Sequence, residues 1–463
     1  MISKKLAKEV LDLCLTSGGD FAEIFAENTY SQSFRMANGK VLQAVTNNVH
    51  GVGIRILKGL EEVYGYTNDV SSKGLKALAT SLASSYNDEP LNIEYELKDV
   101  KFKKNSRIKI DPFTVPNEEK VKYIQELYDG AKDVSKEIVQ IITMLVCTKQ
   151  YVEIYNTLGK AVKDTRFNSR IMIQVVASNG KDMQTMFDSY GRTKGLEMME
   201  KINLTKFGRK TAKTAVKILH ADEMIGQEFP VVIENGFGGV ILHEACVHSL
   251  EATSVAKGLS VFSNKIGEKI ASDVVTAIDD GTLRNNWGSL NVDDEGNPTQ
   301  RNVLIENGVL KSYLYDYRNQ RRSYHPLTGS GRRESYKYSP TSRMNNTYIA
   351  PGKSTVKEII AATEYGLYAK SMGGGSVNPT TGEFNFAVNE GYIIEDGKIA
   401  YPVKGATLIG SGKDTLLKID MVGNDLKRAQ GMCGSSSGSI PADVGQPTIR
   451  VSEMTVGGRG GAI

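Results

Sequence analysis

Histidine is scarce in this chain, with five in 463 residues, and cysteine is scarcer, with four, at positions 14, 147, 246 and 433. The cysteines lie far apart, without the paired spacing of a disulfide framework or a CxxC redox motif, a pattern that suits reduced thiols in a reducing compartment. No apolar run approaches the roughly 18 residues of a membrane span. The segment 1–15 interleaves Lys4, Lys5, Lys8, Glu9 and Asp12 with Ile2, Leu6, Val10, Leu11 and Leu13. That alternation predicts an amphipathic surface helix rather than a signal peptide, so a cytoplasmic protein is expected. A formal charge of only +4 removes the electrostatic case for direct nucleic-acid binding, which needs a strongly basic face. The glycine-rich stretches at 373–375, 410–412 and 434–438 do not match the G-x-x-x-x-G-K-[ST] phosphate loop, and no short repeat marks a solenoid.

What the chain does have is enough length for more than one hydrophobic core and 46 glycines to supply turns. Strands are expected at 21–30, 33–36, 41–46 and 49–57, with Asn38-Gly39 as a hairpin turn, and helices at 72–85, 117–134 and 206–225, the second capped by Asn117. Between them, 138–147, 151–156, 160–167, 170–178 and 182–189 are β-branched or alternating, with a turn at Asn179-Gly180. From Pro230 onward hairpin signals dominate, most sharply Asn307-Gly308 and Asp396-Gly397, with helical spacing only at 236–252 and 356–368. The expected fold class is α+β. An N-terminal domain of mixed strands and helices spans 1–227, with a subdomain break near 87–116, and a mostly antiparallel β-rich domain spans 228–463 and carries the helix expected at 236–252.

The segment His243-Glu244-Ala245-Cys246-Val247-His248 places two of the five histidines and a carboxylate within six residues. Neutral imidazoles are good ligands for a divalent metal, zinc above all, and an adjacent carboxylate suits general-base work on an activated water. The spacing is one residue longer than H-E-x-x-H. At about 100° per residue the two rings would diverge by about 140° on a regular helix, so a π-bulge is expected between Gly239 and Glu251. The plain alternative is a helix bearing two unrelated polar residues. A third ligand must come from elsewhere, and Cys433, in the polar Gln430-Gly431-Met432-Cys433-Gly434 stretch, is the candidate among the thiols, although composition does not choose it. Cys246 reads as a small apolar filler.

HEACVHSLEA at 243–252, DDEG at 293–296, TGSGRRESY from Thr328, RMNNTYIAPG from Arg343, PVKGATLIGSG from Pro402 and MVGND from Met421 together resemble the TldD/PmbA family, its TldD-type branch in particular. The likeness runs over nearly the whole chain. It implies a cytoplasmic zinc peptidase with the metal on His243, His248 and Cys433 and Glu244 as general base. The implied substrates are unfolded or extended peptides, read mainly through their backbones in an enclosed cavity, and the implied partner is a PmbA/TldE-like subunit or a second copy. The chain departs from the family pattern at Val247, at Ala252-Thr253 and at Ser435.

His325, Arg332, Arg333 and Tyr336 are candidate contacts for a peptide carboxylate or oxyanion, against a solvated surface for the arginines. Glu251 is a candidate to orient a ligand imidazole, against an ordinary helix glutamate. A catalytically silent scaffold or regulatory subunit is the alternative function.

Overall fold

A computed structural model of the chain describes residues 2–378 and 381–458. The first helix, α1 (Lys4–Cys14), buries Ala7, Val10, Leu11 and Cys14, the i, i+3, i+4, i+7 stripe of an amphipathic helix. It packs beside α2 (Ser72–Ala83) on a seven-stranded sheet. That sheet is built on two long antiparallel strands, β1 (Phe21–Ala37) and β2 (Lys40–Lys58), followed by β3 (Glu61–Thr67), the short β4 (Lys98–Asp99), β5 (Ile138–Asn156), β6 (Lys160–Ser178) and β7 (Met183–Arg192). Its order is β3-β2-β1-β5-β6-β4, with β7 also on β6.

The breaks expected inside these strands are absent. Ser31, Gln32, Asn47 and Asn48 interrupt the apolar alternation but not the backbone pairing. Their side chains meet across the pair, Gln32 donating to Thr46 Oγ1 at 3.3 Å and Asn48 to Asn28 Oδ1 at 2.8 Å. The Asn38-Gly39 turn stands where it was expected, with φ of 46° and 78°, the left-handed pair of a type I′ hairpin. At Asn179-Gly180 the turn is longer, since pairing resumes only at Ser178 and Met183.

Helices α3 (Asn117–Lys132) and α4 (Leu204–Leu219) cover the same sheet. They touch where Gly130 and Gly208 leave no room for a side chain: a Cβ there would stand 2.3 Å from Thr205 O or 2.1 Å from Leu127 O. Asn117 is not the cap of α3. Pro116 holds that position without a side-chain hydrogen bond. The fourth helix stops at Leu219, short of the expected 225, because Asp222–Glu223 pairs as a strand with Lys398–Lys404.

The C-terminal half holds two larger sheets. In one, Tyr365–Val377, Gln227–Ile233, Ile449–Gly457, Thr407–Ser411 and Glu383–Glu395 pair in succession, and the last pairs back with the first, closing a ring. In the other, the order ends Asn346–Ile349, Gly438–Gln446, Lys427–Ser435. Most pairings are antiparallel, with parallel pairs at Gln227–Ile233 and at Asn346–Ile349. The turns at Asn307-Gly308 and Asp396-Gly397 have the expected left-handed φ values, 47° and 80° in the first, 48° and 67° in the second. The helix expected over 356–368 is halved. Val356–Ala361 is helical behind a Thr355–Glu358 capping box, but from Tyr365 the chain is strand, drawn into the ring by its pairing with Glu383–Glu395.

Between the two sheets a large apolar core encloses the fifth helix, α5 (Val240–Ala245). Among the described residues no helix is long and apolar enough to cross a membrane.

Candidate metal centre

The first histidine sits on α5, whose residues Val240, Ile241, Leu242 and Ala245 are buried. The helix then breaks. Cys246 leaves helical geometry at φ −124°, ψ −60°, and Val247–Leu250 continues as a 3-10 turn. The widened π-turn expected between Gly239 and Glu251 is therefore not the device used. The reorientation comes from ending the α-helix at Ala245 and restarting after Cys246 with a tighter pitch. Gly412 crosses at that point, so close that a Cβ on it would stand 1.9 Å from the Ala245 carbonyl oxygen. Val247 is buried in the apolar core with Cys246, whose thiol burial pushes up to about 12.

The break brings the two imidazoles to one place. Their ring centroids are 5.0 Å apart and their planes nearly perpendicular at 87°. The third member arrives from the Lys427–Ser435 strand: Cys433 Sγ lies 3.2 Å from His243 Nε2 and 3.3 Å from His248 Nε2. All three donor atoms fall within 4.8 Å of one another. Two imidazole nitrogens and one thiolate at the bond lengths of tetrahedral zinc would stand about 3.5 Å apart along each nitrogen–sulfur edge. The observed edges differ from that by a few tenths of an ångström, so the donor set fits zinc in size and in kind.

The electrostatics favour the ligating thiolate at Cys433 but the protonated form at His248, a proton that a bound metal would displace. Burial pushes the Cys433 thiol up, but His243 and His248 outweigh it through charge and hydrogen bonding and hold it well below an ordinary thiol. Burial works the opposite way on His248, and there Glu251 and Cys433 outweigh it and raise the imidazole well above its ordinary value.

Glu244 lies beside the triad and is the more open group, with its Oε2 3.6 Å from His248 Nε2. Glu251 Oε1 lies 3.3 Å from His248 Nδ1, on the far side of the ring. His243 Nδ1, by contrast, is buried without a hydrogen-bond partner among the described residues. At the departures after Glu251, Ala252 is core and Thr253 Oγ1 accepts the Ser342 amide at 3.3 Å. Ser435 is exposed at the end of its strand.

The other candidate residues lie in different settings. His325 is exposed and stacked on Tyr315 at 5.1 Å. Arg332 and Arg333 do not form a solvated surface: both are buried. Arg332 donates to Met344 O at 2.6 Å, and burial pushes its guanidinium down to about 10. Arg333 is bonded to Glu23 and to Asp294 O and lies over the Phe25 ring. Tyr336 donates its amide to Glu27 and accepts from the Tyr64 hydroxyl on its carbonyl.

Sequence reasoning passed over Arg343, which is fully buried and grips the Cys433 carbonyl through Nη2 at 2.5 Å. Its Nη1 holds Ser437 Oγ and Gly438 O, both at 2.9 Å. It has no local spacing signal, since its partners lie about ninety residues further along the chain.

Three family models match the chain: PmbA/TldA metallopeptidase domain 1 over residues 22–85, the central domain over 110–219 and the C-terminal domain over 226–458. A metalloprotease TldD homolog of Haemophilus influenzae is 34% identical over 470 residues, covering 99% of this chain and 97% of its own. Another, from Buchnera aphidicola of Acyrthosiphon pisum, is 34% identical over 464 residues, covering 96% and 94%. Two solved structures share the fold. A candidate modulator of a DNA gyrase from Thermotoga maritima has a TM-score of 0.81 at 22% identity, over 98% of this chain and 100% of that one. TldE from Thermococcus kodakarensis has a TM-score of 0.76 at 18% identity, over 97% and 99%. By its sequence relatives and its matched domains, the chain belongs to the PmbA/TldD metallopeptidase family.

Proposed function

We propose that the chain is a zinc-dependent peptidase that hydrolyses unfolded or extended peptides, with the metal on His243, His248 and Cys433 and Glu244 as the general base. The observation that carries this reading is the convergence of two imidazoles and one thiol, from segments 190 positions apart, onto a single point. Relatives named metalloproteases, one of them a zinc metalloprotease, support the reaction class.

Zinc held there would supply Lewis acidity toward water and the scissile carbonyl. Glu244, adjacent to a ligand and partly open to solvent, takes the proton of the attacking water on its carboxylate and passes it to the leaving amine. Glu251 orients the His248 ring through Nδ1, which leaves Nε2 to face the metal point. Cys433 stands on the last strand of its sheet, and a sheet edge suits an extended peptide because strand addition satisfies main-chain groups without selecting side chains. A PmbA/TldE-like subunit, in keeping with the TldE fold likeness, or a second copy completes the assembly in a cytoplasmic setting, and an enclosed cavity would limit substrates to unfolded chains.

The test pairs metal analysis with peptide cleavage by the wild type and by Glu244→Gln. The expected result is stoichiometric zinc in both proteins, with hydrolysis of an unstructured peptide slowed by about 10²–10⁴-fold in the variant. Zinc-free wild type, or equal cleavage by the two proteins, would leave the silent-scaffold reading in its place.

A further inference from the structure

The stretch 100–110 holds Lys101, Lys103, Lys104, Arg107 and Lys109 and no acidic residue. All of these cations are exposed, and among the described residues none of them meets a carboxylate. Asp99 and Asp111, which bound the stretch, are taken by Lys4 at 2.8 Å and Lys149 at 2.5 Å. Lysines on the neighbouring helices are answered: Lys8, Lys76 and Lys132, on α1, α2 and α3, pair with Asp12, Glu9 and Asp129.

A run of like charge repels itself and, left to solvent alone, gains nothing from being held in one place. This one is held. Asn105, buried at its centre, donates its amide to Asn291 Oδ1 at 2.6 Å and its side chain to Leu290 O at 2.7 Å, and its carbonyl accepts the Asn285 amide at 3.1 Å. Further on, Ile110 O accepts the Leu196 amide at 3.0 Å. The stretch is thereby stitched to the loop 281–292 and to the segment 192–196, which add Arg284 and Lys194 and again contain no acidic residue. Together these cations outnumber the formal net charge of +4 carried by the whole chain.

Beneath them lies a polar cleft of about 270 Å³, lined among others by Asn105, Ser106, Asn168, Thr193, Ser289 and Asn291. Thr193 Oγ1 is buried there without a hydrogen-bond partner among the described residues, so an acceptor that enters the cleft satisfies it.

Charge selects an anionic partner, and the aromatic rings select among such partners. Trp287 and Phe167 at this face are only 6% and 8% exposed, and Phe102 packs inward. The stacking platform that single-stranded nucleic acid uses is therefore missing. The loop 281–292 also reaches the metal-bearing strand: Trp287 Nε1 donates to Gly431 O at 2.8 Å, two residues, or about 7 Å of strand, before Cys433. An extended polypeptide that lies on both brings carboxylates to the basic face and its backbone to the metal centre.

We infer that the face formed by residues 101–109, Lys194 and Arg284 is a docking site for an acidic stretch of an extended polypeptide. The inference rests on the peptidase reading only in making that polypeptide a substrate.

The probe is an unstructured peptide carrying a glutamate tract, compared with the same peptide carrying glutamine in its place. Binding to the full-length Glu244→Gln protein is read by fluorescence anisotropy at low salt, where exposed charges are least screened. The glutamate peptide is expected to bind about tenfold tighter. Combined Lys103→Glu, Lys104→Glu and Arg107→Glu should remove that advantage at unchanged melting temperature and zinc content. With Glu244 in place, the tract should lower KM by a similar factor and leave kcat alone. Equal affinity for the two peptides, or a preference that survives the triple charge reversal, would overturn the inference. So would a single-stranded oligonucleotide of equal charge that binds the same residues more tightly. Charge-dependent binding without cleavage of either peptide would end the peptidase reading and leave the docking site standing; cleavage of both peptides with equal KM and equal affinity would do the reverse.

Discussion

Two buried polar clusters lie within this protein, and they are built on opposite logic. One joins the N-terminal sheet to the segment 293–333. Arg55 bridges Glu295 at 2.7 Å and Glu23 at 3.1 Å, Arg333 also binds Glu23, and Arg166 binds Asp294 at 2.5 Å. Each of these three guanidiniums faces a carboxylate. The other cluster is the His243–His248–Cys433 triad, where three groups able to ligate a metal converge within 4.8 Å of one another. Answered charges make a joint, and converging unanswered donors make a site for a positive ion.

The comparison breaks most visibly at Cys433. Cys433→Ala removes the thiolate and with it the negative charge of the site, and bound zinc is expected to fall from stoichiometric to undetectable, peptide cleavage to background, and urea unfolding of the metal-free protein to change little. Next in size is Arg333→Met in the joint. It strips Glu23 of one of its two guanidinium partners inside the fold, and a loss of about 3–5 kcal/mol is expected in urea unfolding, with zinc content per folded chain unchanged. If the folded Arg333 variant lost its metal, the two clusters would not be independent.

They also differ in how far they are legible in the sequence. The triad's histidines declare themselves through H-E-x-x-x-H, because both imidazoles and the carboxylate share one local segment, and the Asn-Gly and Asp-Gly turns declare themselves through the left-handed backbone that their hairpins require. Composition does not choose the thiol, and only the family resemblance singles Cys433 out. The joint has no spacing rule at all: Arg55 and Glu295 are 240 positions apart, and Arg332 and Arg333 read in the sequence as contacts for a carboxylate or oxyanion, or else as solvated surface, whereas both are buried. The local misreadings share one cause. The break at Cys246 and the strand that replaces the second half of the helix expected at 356–368 are imposed by tertiary neighbours, Gly412 in one case and Glu383–Glu395 in the other, and helical periodicity does not register those.

Asp443 sharpens the contrast, because it is a buried carboxylate the joint does not reach. It accepts the Trp287 amide at 3.0 Å. Burial pushes it up to about 7, more than Trp287, Arg192, Arg428 and Arg170 can offset. A raised carboxyl favours the folded state fully below its unfolded value near 3.8. Its contribution is then lost as pH climbs toward 7, because over that window the folded state holds a proton that the unfolded state has released. Asp443→Asn is expected to remove that part of the decline, up to about 1.4 kcal/mol per pH unit, when melting temperatures are compared from pH 4 to pH 7. Parallel pH curves for the two proteins would refute it.

The smallest expected effect falls on the one residue that mixes the two logics. Arg343 is a buried guanidinium like those of the joint, yet among the described residues it forms no ion pair; it binds the Cys433 and Gly438 carbonyls and the Ser437 hydroxyl. Its fork fixes both ends of the hairpin turn that carries the thiol. Lysine keeps the charge but not the fork, so Arg343→Lys leaves the turn held at one point and Cys433 free to shift. Supports of this kind are worth about 10–100-fold in metal affinity, and a loss near the lower limit is expected because the charge remains. Competition with a chromophoric chelator measures it, and the thiolate-to-metal absorption of the cobalt-loaded protein should shift as the sulfur moves. A guanidinium that only fills space would lower the melting temperature and leave both readouts where they are in the wild type.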